Sequence, residues 1–257
     1  MRSVTSKVWI LGAGPGDPEL ITVKGLKTIQ KADVILYDAL VSTELLDYTP
    51  SGCKKIYVGK RKGHKEFPQE EINRLIVFYA IRFGCVVRLK GGDPNVFGRG
   101  HEEMEYVRQR GISVETISGI SSVLAAPAAA GIPLTKRGVN ESFWVITGTL
   151  SSGDMSNDIM LAAQSTATVV ILMGMTHLVK IARLFQQFRA ANEPIALIQQ
   201  ATTAHQKIII GTAGDIVQRG IESNISSPAV IVIGKVVNES DVANLLVTVN
   251  RRVIAEE

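Results

Sequence analysis

Cysteine is scarce. Cys53 and Cys85 are the two in the chain, and neither has a second cysteine or a histidine at the spacing of a zinc ligand set. A structural zinc site is therefore not expected, no other metal is called for, and the usage fits a reducing, cytoplasmic setting. Cys85 opens the apolar run 85–89 and reads as a small buried hydrophobe. Aromatic residues make up 5% of the chain, too few to supply stacking platforms for nucleic acid. The net charge of +4 is a small excess, and no basic tail is present; Lys60, Arg61, Lys62 and Lys65 form the densest cluster. No long hydrophobic run exists either. The most apolar stretch, 112–134, is broken by Pro127, Gly131 and Pro133, so a membrane span is not expected. The first strand-like run begins by Val8, which leaves no room for a signal sequence.

What is present is alternation. Short β-branched runs at 7–12, 33–37, 54–58, 85–90 and 112–117 are separated by helix-like segments at 21–31, 42–48, 68–83 and 99–110. That is the pattern of βα units around a parallel sheet. The segment 68–83 opens with Pro68 followed by Glu70 and Glu71, a strong helix start. A second series follows, with strands at 142–147, 167–173, 194–199, 206–211 and 228–234 and helices at 176–191 and 213–222. The runs 194–199 and 206–211 are too close for a crossover helix and must pair antiparallel. A length of 257 residues favours two domains. The expectation is an α/β protein with a parallel N-terminal sheet over 1–120, a small-residue connection over 121–138, and a mixed C-terminal sheet over 139–257.

Two glycine-rich loops follow strands of the first series. The loop after 7–12 reads GAGPGDPEL, and it fails as a dinucleotide fingerprint because the third glycine position holds Asp17. Pro15 lacks an N–H, and Asp17 would face a pyrophosphate. The P-loop pattern is absent as well. The second loop, in LKGGDPNVFGRG at 89–100, lies at the same kind of strand end, the edge where open α/β sheets bind ligands. Both loops place an Asp ahead of a proline, and together they suit a cationic or hydroxyl-bearing ligand better than a polyphosphate.

These residues carry a resemblance. GAGPGDPELITVKG (12–25) and RLKGGDPNVFGRG (88–100) resemble the tetrapyrrole (precorrin-type) methylases, which use S-adenosylmethionine. YDALVS, VGKRKG, PQEEIN and GIPLTKRGVNES resemble the branch of that family acting on uroporphyrinogen III. The likeness extends over residues 7 to 237, in order and spacing. It implies two α/β domains with the cofactor in the cleft between them, the N-terminal one on the substrate side and the C-terminal one on the cofactor side. It further implies two methyl transfers to uroporphyrinogen III, giving precorrin-2 through precorrin-1 for sirohaem or cobalamin synthesis, by a homodimer without a fused dehydrogenase–chelatase module. A later precorrin methyltransferase, a methylase of ribosomal RNA, or a non-catalytic tetrapyrrole binder are the alternatives; GKRKG and GVNES argue against the first two.

By motif position, the resemblance implies cofactor contacts from Pro15, Gly91, Gly92, Asp93, Val96, Ser121, Ser122, Met173, Ala201 and Ala229. It makes Asp38 a candidate proton acceptor and Lys60 a candidate donor, with Arg99 and Glu102 as rivals for proton handling or as substrate anchors. Asp38 could equally cap the helix that follows it. An octacarboxylate substrate needs several cations, and Arg61, Lys136 and Arg137 join Lys60 and Arg99 as candidates. Three residues depart from the family pattern: Ser118 for proline, Lys136 for histidine and His101 for glycine.

Overall fold

The computed structural model describes residues 6–59 and 68–240. The chain divides into two compact units, Met1–Ser122 and Val123–Glu257, each holding its own five-stranded sheet.

In the first unit, β1 (Lys7–Gly12), β2 (Val34–Tyr37), β3 (Lys54–Tyr57), β4 (Cys85–Lys90) and β5 (Ser113–Ile117) are all parallel, in the order β3-β2-β4-β1-β5. The central parallel strands are covered on both faces, so most of their side chains on either face are apolar. Val8, Ile10, Val34, Leu36 and Val86 pack with Ile72, Ile76 and Ala80 of α2 (Gln69–Phe83) and Val107 of α3 (Gly100–Arg108). Leu11, Ile35, Val87 and Leu89 face the other way, toward Ile29 of α1 (Val23–Ile29). The helix after β1 thus covers one face and the helix after β4 the opposite one. Because β1 and β4 are neighbours whose helices leave toward opposite faces, they mark a topological switch point, the place where such sheets bind ligands. Helix α2 has the expected acidic first turn, carries Arg82 in its last turn, and stops at Gly84, whose φ of 101° only glycine adopts readily.

The second unit contains β6 (Phe143–Thr147), α5 (Asp158–Gln164), β7 (Thr168–Leu172), α6 (Leu178–Phe188), β8 (Pro194–Gln199), β9 (Lys207–Thr212), α7 (Ile216–Glu222) and β10 (Ala229–Ile233), preceded by α4 (Ser122–Ala129) at the boundary. Its sheet order is β6-β7-β10-β8-β9; β6 and β7 are parallel, and every other pairing is antiparallel. Ile181, Ala182 and Phe185 of α6 seal its core against Val169, Ile171, Ile195 and Ile231.

The expected parallel and mixed sheets are both present, and β8 and β9 pair antiparallel as their short connection requires. Three details differ. The segment expected as a helix over 42–48 is a 3-10 helix, Thr43–Tyr48. Helix α5 was not expected, since it is one seven-residue turn pair that buries only Ile159, Ala162 and Ala163, too short to show a period. Cys85 is half-buried rather than buried; burial and the neighbouring Asp33 raise its thiol pKa, and burial does the same at Cys53.

Candidate active site

All five strands of the first sheet point the same way, so the loops after them gather along one edge. There the two glycine loops are tied together. Ala13 N donates to Lys90 O (2.7 Å), Gly14 N to Gly92 O (3.2 Å), and Gly92 N to Gly14 O (2.7 Å). Three loop amides that a phosphate could use are spent on this clasp, and Pro15 has none to offer. The loop after β5 joins through contacts that leave no room for a side chain. A Cβ on Gly12 would lie 2.5 Å from both Gly119 N and Gly92 O. One on Gly91 would lie 2.6 Å from the Cβ of Leu40, in the loop after β2. Asp93 pins the assembly: Oδ1 accepts from Asn95 N (2.8 Å) and Oδ2 from Gly119 N (3.2 Å). Asp17 accepts from Glu19 N and caps the short 3-10 helix Pro18–Leu20.

The edge therefore assembles Pro15, Gly91, Gly92, Asp93 and the segment holding Ser121 and Ser122; a Cβ on Gly92 would sit 3.8 Å from Ser122 N. Val96 lies in the same loop, its N–H donating to Asp93 O (3.3 Å). A backbone cradle of this kind, closed to phosphate and lined by glycine, fits a cofactor recognised through uncharged adenosine groups and an amino-acid end.

Beside the cradle lies a cluster that sequence reasoning missed. Strand β4 alternates Val86, Arg88 and Lys90 onto the face covered by α2 and α3, so two cations are buried in a central parallel strand. Buried charges must be paired. Glu103 of α3, fully buried, accepts at Oε1 from Arg88 Nε (3.2 Å), Lys90 Nζ (3.1 Å) and Gln69 Nε2 (3.0 Å). Arg88 Nη1 donates to Leu89 O (2.9 Å), and Arg88 Nη2 reaches Asp38 Oδ2 at 3.5 Å. Burial and the adjacent Arg88 push the Lys90 ammonium pKa down, against the pull of Glu103. The available signal was the pair of cations at alternate positions in a run otherwise read as a core strand.

Asp38 stands at the outer end of this cluster, its side chain 24% exposed. Oδ1 accepts from Leu40 N (3.2 Å), closing a local turn. It does not cap the following helix, whose N-cap residue is Ser42. Arg99 and Glu102 are bound to each other, Nε to Oε2 at 2.9 Å and Nη2 to Oε1 at 2.8 Å, on an exposed surface. Arg99 has a φ of 58°, the left-handed conformation, as do Phe97, Met173, Gln200 and Thr202. Non-glycine residues held there are uncommon and gather where a loop is shaped for a ligand. Lys60 and Arg61 lie outside the described residues.

In the second unit, Met173 follows β7, Ala201 follows β8, and Ala229 opens β10 opposite Gln199, so the three share one end of that sheet. Lys136 does not join them. Its N–H donates to Asn140 Oδ1 (2.9 Å), and Asn140 Nδ2 reaches Thr168 Oγ1 (3.0 Å) at the opposite end of β7. The Lys136 ammonium is paired with Glu239 at 2.6 Å, and Arg137 is exposed in the same loop. Among the described residues, no group of three or more His, Cys, Asp or Glu side chains is arranged to hold a metal, and no helix is long and apolar enough to cross a membrane.

Comparison with known proteins agrees with this geometry. A family model described as Tetrapyrrole (Corrin/Porphyrin) Methylases matches residues 7–217. The uroporphyrinogen-III C-methyltransferase of Methanocaldococcus jannaschii is 49% identical over 240 residues, covering 93% of this chain and 99% of that protein. A siroheme synthase of Pseudoalteromonas atlantica is 42% identical over 233 residues, and there the match takes in 90% of this chain but 50% of the relative. The crystal structure of a uroporphyrin-III C-methyltransferase from Thermus thermophilus, complexed with S-adenosylhomocysteine, superimposes with a TM-score of 0.78 at 37% identity, over 90% of this chain and 99% of that one. With the family model spanning most of the chain and near full-length relatives at this identity, the chain belongs to the tetrapyrrole (corrin/porphyrin) methylases.

Proposed function

We propose that the chain is an S-adenosylmethionine-dependent C-methyltransferase that places two methyl groups on uroporphyrinogen III, giving precorrin-2 by way of precorrin-1, on the branch toward sirohaem and cobalamin. The observation that carries this reading is the glycine clasp, closed to phosphate, set beside a partly exposed carboxylate that is paired to a buried arginine. The names and coverage of the relatives support the substrate.

S-adenosylmethionine supplies an electrophilic methyl group on a sulfonium. By the resemblance, the residues proposed to hold it are Pro15, Gly91, Gly92, Asp93, Val96, Ser121, Ser122, Met173, Ala201 and Ala229. Alignment of the nucleophilic ring carbon with that methyl is the main catalytic contribution expected, worth up to about 10 kcal/mol. Each transfer forms one carbon–carbon bond, breaks the methyl–sulfur bond with release of S-adenosylhomocysteine, and costs the macrocycle one proton, which Asp38 takes up. Lys60 is the proposed donor where a proton is moved between ring positions, with no net gain by the ring. Arg99, Arg61 and Arg137 anchor substrate carboxylates, Arg99 by releasing Glu102; Lys136 joins them only by releasing Glu239, and Glu102 alternatively shares in proton transfer.

Mass spectrometry after incubation with uroporphyrinogen III and S-adenosylmethionine tests the proposal. The expected product carries a mass gain of two methylenes. Methylation of precorrin-4 in place of uroporphyrinogen III would assign the chain to a later step, and binding without any mass gain would make it a non-catalytic binder. The proposal includes a cytoplasmic homodimer; a monomer by analytical ultracentrifugation at micromolar concentration, or recovery in a membrane fraction, removes that part.

A further inference from the structure

Glu103 is fully buried, yet its two oxygens are used unequally. Oε1 accepts from Arg88, Lys90 and Gln69, while Oε2 has no hydrogen-bond partner among the described residues. A helix packed on a central parallel strand would be at least as stable with an apolar side chain there, because removing an ion pair from water costs more than the pairing returns unless geometry is excellent. An orphaned oxygen makes the geometry less than excellent. The arrangement instead follows from what Arg88 touches. Its planar guanidinium holds Glu103 through Nε, the carbonyls of Leu36 (3.5 Å) and Leu89 (2.9 Å) through Nη1, and Asp38 through Nη2. One rigid group thus joins a carboxylate with no exposure to a carboxylate at the loop edge.

We infer that Glu103 is a positioning residue for the proton transfer at Asp38, acting through the buried Arg88–Lys90 pair. Glu103 draws Nε of Arg88 toward the helix layer and fixes the plane in which Nη2 meets Asp38 Oδ2. It also offsets the positive charge of Arg88 and Lys90, so that Asp38 is not their only counter-charge. Lys90 and Gln69 in turn hold Glu103 Oε1 in place, and Asn73 Oδ1 accepts from Gln69 Nε2 at 3.1 Å behind them. The inference rests on the role proposed above for Asp38.

A double-mutant cycle on turnover tests it, using Glu103→Gln, which keeps the shape and the Oε1 acceptor but removes the charge. In the Asp38 background we expect kcat to fall about tenfold or more, as for other misplacements of a proton-transfer group, with the KM for the tetrapyrrole and the affinity for S-adenosylhomocysteine within about twofold. In the Asp38→Asn background the same change is expected to alter kcat by less than about twofold, because the residue it positions is gone. An equal loss in both backgrounds, a rise in KM at unchanged kcat, or no loss at all overturns the inference. Should Glu103→Gln lose its cooperative thermal transition, Arg88→Lys, which cannot span both carboxylates, is carried through the same cycle with the same expectations. If neither variant folds, the network is a structural framework and the inference is wrong. Failure of the underlying reading gives a different result: Asp38→Asn alone then turns over normally.

Discussion

Asp38→Asn is expected to lower kcat by about 10²- to 10⁴-fold, the range that a positioned general base contributes. Affinity for S-adenosylhomocysteine, read by calorimetry, should stay within about twofold of the parent. The split follows from where the residue sits. The asparagine Oδ1 still accepts from Leu40 N, so the turn after β2 survives. Arg88 loses one contact out of several and stays anchored by Glu103 and the Leu89 carbonyl. What is removed is the carboxylate oxygen at the edge of the sheet, the atom proposed to receive the proton. The cluster is left with two cations and one carboxylate, and the depressed pKa of Lys90, caused first by burial, marks it as the group that most readily gives up its charge in response. A variant that keeps kcat within about threefold of the parent would remove Asp38 from proton transfer, since a general base contributes far more than that.

The second large effect is expected at Gly12. In Gly12→Ala the new methyl would meet the Gly119 amide nitrogen and the Gly92 carbonyl oxygen at 2.5 Å, and both are main-chain atoms with no rotamer to yield. Overpacking of this kind costs about 1–3 kcal/mol, and here the displacement falls on the three loops that meet at the sheet edge. Thermal unfolding should show the loss of stability, and the affinity for S-adenosylhomocysteine should drop by more than about tenfold, because a 1.4 kcal/mol loss of fit already accounts for that factor. A control at Gly52 has open space around its Cβ and should leave affinity unchanged. Normal affinity in Gly12→Ala would mean that the clasp is not part of the cofactor cradle.

Much of this protein was legible in its sequence. Strand positions follow from short β-branched runs, and every expected strand is present to within one or two residues; the central strands are legible because burial on both faces demands largely apolar runs. The misfit of Pro15 and Asp17 to a phosphate loop was readable too, since an imino acid and a carboxylate exclude that ligand by their own chemistry. Helix α5 was not readable, as seven residues carry too little periodicity, and neither was the 3-10 form of Thr43–Tyr48, whose side-chain pattern differs little from an α-helical turn.

Contacts between residues distant in the chain were decided by the tertiary structure alone. Nothing local tells β10 to insert between β7 and β8, because pairing is settled by which sheet edges remain free once the helices have packed. Arg88, Glu103 and Asp38 read separately as a strand residue, a helix residue and a loop residue. They become one charged system only when parallel pairing of β2 with β4 sets Asp38 beside Arg88, and when α3 lays Glu103 over β4. Composition and spacing carried the chemistry of the cofactor loop, since Gly, Pro and Asp limit by their own type what such a loop can bind; the proton-handling site is a property of the packed chain.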